Sequence, residues 1–262
     1  MKLRTFAVAC AVLLALFLFA QRHASLVPQA QFKAAVDLTH TISEKSPNWE
    51  GTQKSPFEAR PLGSFEKDGY FTRTLSLPEH FSTHIDAPAH FAAGAWTVDQ
   101  IPAERLIAPL VVLDVTKKVG VDPEHLVSLD DIAAWEQVNG QIPSGAVVLA
   151  RTGWSSRWYS MEKYRNADAK NTMHFPGFGE PAVRFLAEGR NIVGLGIDTL
   201  SVDPGSSTNF PVHHYVAAHN IYNLENVAYL EEVPPSGALL VVAPAKLEGG
   251  SGAPVRLLAL IR

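Results

Sequence analysis

An α+β fold built on a mixed sheet is what this sequence predicts, from three observations. Hydrophobic residues make up 47% of the 262 positions and charged residues 18%, the profile of a folded chain with a core to bury. Short apolar runs rich in Val, Leu and Ile recur along the chain at strand length. Helical patterns fall between only some of these runs, so the strict strand–helix rhythm of a doubly wound sheet is missing. The eighteen Gly and 18 Pro are spread out rather than clustered, which predicts many turns and no linker. Residues 31–262 therefore read as a single domain.

The first thirty residues read differently. Lys2 and Arg4 precede an uninterrupted apolar run over residues 6–20, and polar Gln21, Arg22 and His23 follow. A positive start before about 15 apolar residues is the order of a secretory signal peptide. A spanning helix needs roughly 20 residues, so the run is marginal as an anchor. Residues 1–30 are read as a signal peptide or N-terminal anchor, with Ala20, Ala24 and Ala30 as candidate ends. The expected location is exported, periplasmic or secreted, with a membrane as partner only if the segment is retained. Cys10, the single cysteine, lies in this segment. Without it the mature chain can form no disulfide and offers no thiolate to a metal or substrate.

The elements follow in order. Residues 70–77 alternate in part and suit a strand. Residues 109–115 and 146–150 read as buried strands. Between them, Ser128 with Asp131 three positions on makes a capping-box start for a helix running to Val138. A second helix is expected over residues 181–188, opened by Pro181 and stopped by Gly189. Residues 192–197, 238–243 and 255–261 complete the strands. The formal net charge is −4, without the basic stripe that phosphate backbones attract, so nucleic acid is excluded as a partner.

One segment concentrates chemistry: His80-Phe81-Ser82-Thr83-His84-Ile85-Asp86-Ala87-Pro88-Ala89-His90 holds three of the ten histidines and a carboxylate in eleven residues. Neutral imidazole and carboxylate suit zinc, manganese or iron. If the segment is helical, His80 and His84 share a face, and Asp86 approaches from the chain's exit before Pro88. Three protein ligands would leave a coordination position for water, as catalytic metal sites do. An isolated His-x-x-x-His pair also occurs on solvated helix faces; Asp86 and His90 beside it favour the metal reading. Farther on, His213 and Glu225 are candidate distal ligands, with a polar surface stretch as the alternative. The segment holding Asp198 and Ser201 follows an expected strand and reads as pocket-forming or as a plain turn. Trp49, Phe81, Trp96, Trp154, Phe175 and Phe178 could line an apolar pocket or simply fill the core. No Gly-x-Ser-x-Gly elbow and no phosphate loop is present, which argues against a serine hydrolase and a nucleotide enzyme. An exported, non-catalytic metal- or solute-binding protein stays open as an alternative.

The eleven-residue segment resembles the signature of the metal-dependent cyclase family, which includes bacterial kynurenine formamidase and isatin hydrolase. That pattern is His-x-Gly-Thr-His-x-Asp-x-Pro-x-His, and only its Gly departs here, as Ser82. Asp37-Leu-Thr-His40, Pro47-Asn-Trp49, Arg151-Thr-Gly-Trp154, Gly196-Ile-Asp198-Thr199 and Pro211-Val-His213 look like the family's further motifs, in its order. The resemblance implies a barrel-like mixed β core flanked by helices, and a homodimer or larger homo-oligomer. It implies a divalent metal, Zn2+ or Mn2+, at one or two ions per subunit. His80, His84 and Asp86 would hold the first ion; in two-ion members Asp86 bridges to one held by His213 and Glu225. His90 maps onto the proton-moving residue. The expected activity is hydrolysis of an amide, formamide or lactam C–N bond in a small-molecule substrate, with Trp49, Phe81, Asp198 and Ser201 as substrate contacts.

Overall fold

The computed structural model describes residues 32–52 and 54–262; the signal-peptide expectation lies outside them. Strands β1 (Ala34–Asp37), β2 (Glu58–Gly63), β3 (Thr72–Ser76), β4 (His84–Asp86), β5 (Ile107–Asp114), β6 (Leu126–Val127), β7 (Val147–Arg151), β8 (Gly177–Phe178), β9 (Gly194–Ile197), β10 (Tyr222–Glu225), β11 (Ala238–Pro244) and β12 (Gly252–Ile261) form three sheets. The main sheet runs β12-β11-β5-β7-β9-β10-β4 and closes because β4 also pairs with the start of β12, giving a seven-stranded barrel, with β1 pairing along the end of β12. The pairing is mixed. β5, β7, β9 and β10 run parallel to one another, while β4, β11 and β12 join antiparallel.

Helices α1 (Phe65–Asp68), α2 (Thr116–Val119), α3 (Leu129–Asn139), α4 (Met161–Arg165), α5 (Glu180–Arg184) and α6 (Pro211–Ala218) complete the elements. The Ser128 capping box forms as expected: Ser128 Oγ accepts from Asp131 N and Asp131 Oδ2 accepts from Ser128 N. The helix expected over 181–188 is realised as α5 followed by a wider turn over Phe185–Gly189.

Two apolar layers hold this together. One fills the barrel, with Ile85, Leu110, Val112, Leu149, Leu224, Leu240 and Leu257 pointing inward. The other lies between the barrel wall and the helices, with Val111, Leu113, Val148, Leu195 and Ile197 facing Trp135, Phe178, Val183 and Val216. Strands β5, β7 and β9 are thus buried on both faces, which is why they read as unbroken apolar runs rather than alternating ones. Gly196 makes room inside: a Cβ there would lie 2.6 Å from Leu149 and 2.7 Å from the Leu224 carbonyl.

Candidate functional site

The segment from His80 to His90 is not helical. His80 sits in a loop, residues 84–86 are β4, and residues 88–90 form a single 3-10 turn. The strand's period of two sends His84 and Asp86 to one face and Ile85 into the barrel. The antiparallel register with β10 sets Glu225 opposite His84. Neighbours on one face of such a pair lie close enough to interact, so strand geometry alone gathers three donors. His80 reaches them because the chain turns sharply at Ser82, whose φ is 60°. The Ser that replaces the family's Gly thus keeps the left-handed backbone a Gly would supply at no steric cost.

His213 joins from the first turn of α6. Its Nε2 lies 3.2 Å from Asp86 Oδ2 and 3.2 Å from Glu225 Oε1. His84 Nε2 lies 3.1 Å from Asp86 Oδ1 and 3.5 Å from Glu225 Oε2, and His80 Nδ1 lies 2.6 Å from Asp86 Oδ1. The ring nitrogens facing away are occupied. His84 Nδ1 donates to the Ser82 carbonyl at 2.9 Å, and His213 Nδ1 donates to Asp203 Oδ2 at 2.7 Å. Asp203 also accepts from the backbone N–H groups of Val212 and His213, so the same carboxylate anchors the helix start and the ring.

The electrostatics favour positive charge within the cluster. Burial alone would depress the His84 imidazole, but Asp86 and Glu225 beside it raise it to about 9. Burial would also lift Asp86, yet the facing imidazoles hold its carboxyl well below the carboxylate range. Glu225 is pushed up by burial and by the Asp86 charge. Two buried carboxylates against three imidazoles is a donor set chemically suited to zinc or manganese. The distances of 3.1 and 3.5 Å from His84 Nε2 to the Asp86 and Glu225 carboxylates match the roughly 3.4 Å edge of a tetrahedral shell with bonds of about 2.0–2.2 Å. The residues therefore fit a divalent metal.

These groups form the floor of a cavity of about 420 Å³, walled by Trp49, Phe81, Phe91, Leu200 and Phe210, with Asn48, Ser201 and Asn226 as polar lining. His90 stands at its rim, stacked on His80 with centroids 3.9 Å apart. Desolvation by the cleft walls pushes its imidazole down to about 4, against the pull of Asp86, although the residue stays exposed on its outer side.

Of the expected substrate contacts, Trp49, Phe81 and Ser201 line the cavity and Asp198 does not. Its buried carboxylate accepts from Thr152 N, Thr152 Oγ1 and Gly153 N, tying the end of β9 to the loop after β7. Burial raises its pKa despite these donors. Trp154, Phe175 and Phe178 are core, and Trp96 lies beneath the Arg105 guanidinium. Sequence reasoning missed Phe91, Leu200, Phe210 and Asn226. Phe91 and Asn226 directly follow His90 and Glu225, so adjacency was the available signal.

The family model described as Putative cyclase matches residues 36–204. Isatin hydrolase of Roseibium aggregatum is 35% identical over 214 residues, spanning 78% of this chain and 81% of that protein. Kynurenine formamidase of Salinibacter ruber is 30% identical over 224 residues, spanning 85% and 95%. A solved structure, an isatin hydrolase bound to the product analogue thioisatinate, superposes with a TM-score of 0.80 at 31% identity and covers 94% of this chain and 98% of that one. A matching family model, relatives alike over most of both chains and a shared barrel agree with the motif on β4: the chain belongs to the cyclase family of hydrolases.

Proposed function

We propose that this protein is a metal-dependent hydrolase that opens the amide C–N bond of a small aryl lactam or formamide, with isatin-like lactams as the preferred class. One observation carries the reading: five buried or half-buried donors, His80, His84, Asp86, His213 and Glu225, converge at the floor of an apolar cavity whose rim holds the His90 imidazole. The higher identity to an isatin hydrolase than to the kynurenine formamidase supports the lactam.

Lewis acidity is what a divalent cation supplies here when bound, polarising a carbonyl and lowering the pKa of water from about 15.7 towards 7. The chain's residues do the rest. Trp49, Phe81, Phe91 and Phe210 present ring faces and edges that suit a flat aryl group and exclude bulk water from it. His90 accepts the proton of the attacking water and returns it to the departing nitrogen, so water adds across the bond: oxygen to carbon, hydrogen to nitrogen. Desolvation lowers the His90 pKa to about 4, which favours the free-base ring that a proton acceptor needs, and the ring stacks on His80.

Zn2+ or Mn2+ at one or two ions per subunit is part of the same reading, supported by the donor set. The order of charge and apolarity in residues 2–23 supports export; N-terminal sequencing of protein recovered from outside the cytoplasm checks it. A homodimer is supported by the β2–β3 hairpin, where Leu62 and Phe65 are 68% and 70% exposed and Tyr70, Phe71 and Leu75 are more than half exposed.

The test is mass spectrometry of purified protein incubated with isatin, aryl formamides and cyclic imides. A product heavier by one water from isatin is expected, and it should fall about 10²–10⁴-fold in rate in H90A while metal is retained. No turnover of any member of these classes by metal-loaded protein contradicts the proposal.

A further inference from the structure

His80 differs from its two companion imidazoles. His84 and His213 turn Nε2 to the cluster, whereas His80 turns Nδ1 to it, 2.6 Å from Asp86. Its other nitrogen, Nε2, meets Ser251 Oγ at 2.9 Å, from a residue 171 positions away in the chain. We propose that Glu79 and Ser251 form a hydroxyl–carboxylate relay that positions His80, holding the proton on Nε2 so that the Nδ1 lone pair faces the metal. The inference rests on the metal-centre reading above.

Hydrogen-bond bookkeeping fixes the direction. Glu79 Oε2 accepts from the backbone N–H of Ser251 at 2.9 Å and of Gly252 at 3.3 Å, and from Ser251 Oγ at 2.7 Å. Backbone N–H groups can only donate, so this oxygen is an acceptor. At 2.7 Å the Ser251 hydroxyl must point its proton at Glu79, because two lone pairs at that distance would repel. A hydroxyl has one proton; once it is given to Glu79, Ser251 Oγ can only accept from His80. Nε2 therefore carries a hydrogen, which leaves Nδ1, 2.6 Å from Asp86 Oδ1, as the nitrogen that would meet a bound cation.

The ring's planes are held as tightly as its edge. His90 stacks on one face at 3.9 Å between centroids, at an interplanar angle of 25°. On another side lies Gly252, where a Cβ would come within 2.6 Å of His80 Cε1 and 2.7 Å of the Ile85 carbonyl. Gly252 pairs with Asp86 across the β4–β12 seam, so the segment Ser251-Gly252 both closes the barrel and seats the ligand. Partners of this kind orient metal-bound imidazoles and raise their basicity, and losing one costs 10–100-fold in metal affinity or activity. Ser251 and Glu79 are positioning residues: they act through His80.

The experiment measures Zn2+ affinity by competition with a chromophoric chelator in the purified protein. S251A and E79Q are each expected to bind about 10–100-fold more weakly. S251T, which keeps the hydroxyl, should stay close to the parent, and the double variant should be no weaker than the weaker single one, because the residues act in series. A second readout uses the parent protein alone: nitrogen-15 histidine NMR of the Zn2+-loaded form, with His80 expected to be protonated at Nε2. A proton on Nδ1 of His80, or parental affinity in S251A, overturns the relay. H80A separates the levels. Lost affinity in H80A with full affinity in S251A overturns the relay alone, whereas full affinity in H80A overturns the ligand role of His80 and the relay with it.

Discussion

Ser82 holds a φ of 60° at the turn that swings His80 back over β4. A left-handed backbone costs a residue with a Cβ roughly 1–2 kcal/mol, and glycine escapes that cost. What Ser82 gains is small: its hydroxyl meets the His40 carbonyl at a long 3.4 Å. The functional contacts at this position are made by its carbonyl, which accepts from His84 Nδ1 and Asn226 Nδ2 and would survive substitution. S82G is therefore expected to raise stability by about 1 kcal/mol in chemical denaturation with metal binding unchanged; a loss of similar size contradicts this assignment of strain. His90 gives a second expectation at this scale. Burial disfavours its imidazolium, so its pKa is pushed down to about 4 and the neutral base persists below the ordinary imidazole value. The acid limb of kcat/KM, measured on samples checked for metal content at each pH, is expected below pH 6.5. A limb above pH 7 that vanishes in H90A contradicts the role given to His90.

At the scale of elements, what the sequence revealed depended on how local each cause was. Strands β5, β7 and β9 are buried on both sides, so their runs of Val and Leu are visible without knowing the partners. The Ser128 cap is visible because its partner lies three residues away. The segment from His80 to Asp86 was ambiguous for a physical reason. A spacing of four suits a helix face, while His84 and Asp86 are two apart and suit a strand face; Ser82's turn decided between them. Asp198 looked like a site residue because it follows a strand, but its donors on the neighbouring loop could be seen only in three dimensions. Ser251 likewise reaches His80 only because β12 closes on β4. The β2–β3 hairpin carries its own expectation. A lone two-stranded hairpin is marginal in water, and five exposed apolar side chains on one need cover. If the proposed dimer uses this hairpin, F65S combined with F71S converts it to a monomer in sedimentation velocity, with the barrel still folded; an unchanged dimer would place the interface elsewhere.

Across the whole molecule, barrel closure and site assembly are one event. β4 supplies His84 and Asp86, β10 supplies Glu225, α6 supplies His213, and the loop before β4 supplies His80. His213 lies 127 positions from Asp86 and Glu225 is farther still, so the full donor set exists only once the strands pair, and a cation bound by the folded chain has no equivalent five-donor site in the unfolded one. The barrel holds five donors in place, and the proposed substrate cavity opens above them. The measurement that bears on this most directly is turnover of isatin, read beside elemental analysis, through one cycle of chelation and reloading. Protein as purified is expected to carry one or two equivalents of zinc or manganese, lose its activity on chelation, and regain it with the ion. Full activity after the metal is removed, or active protein with no stoichiometric metal, would contradict the account.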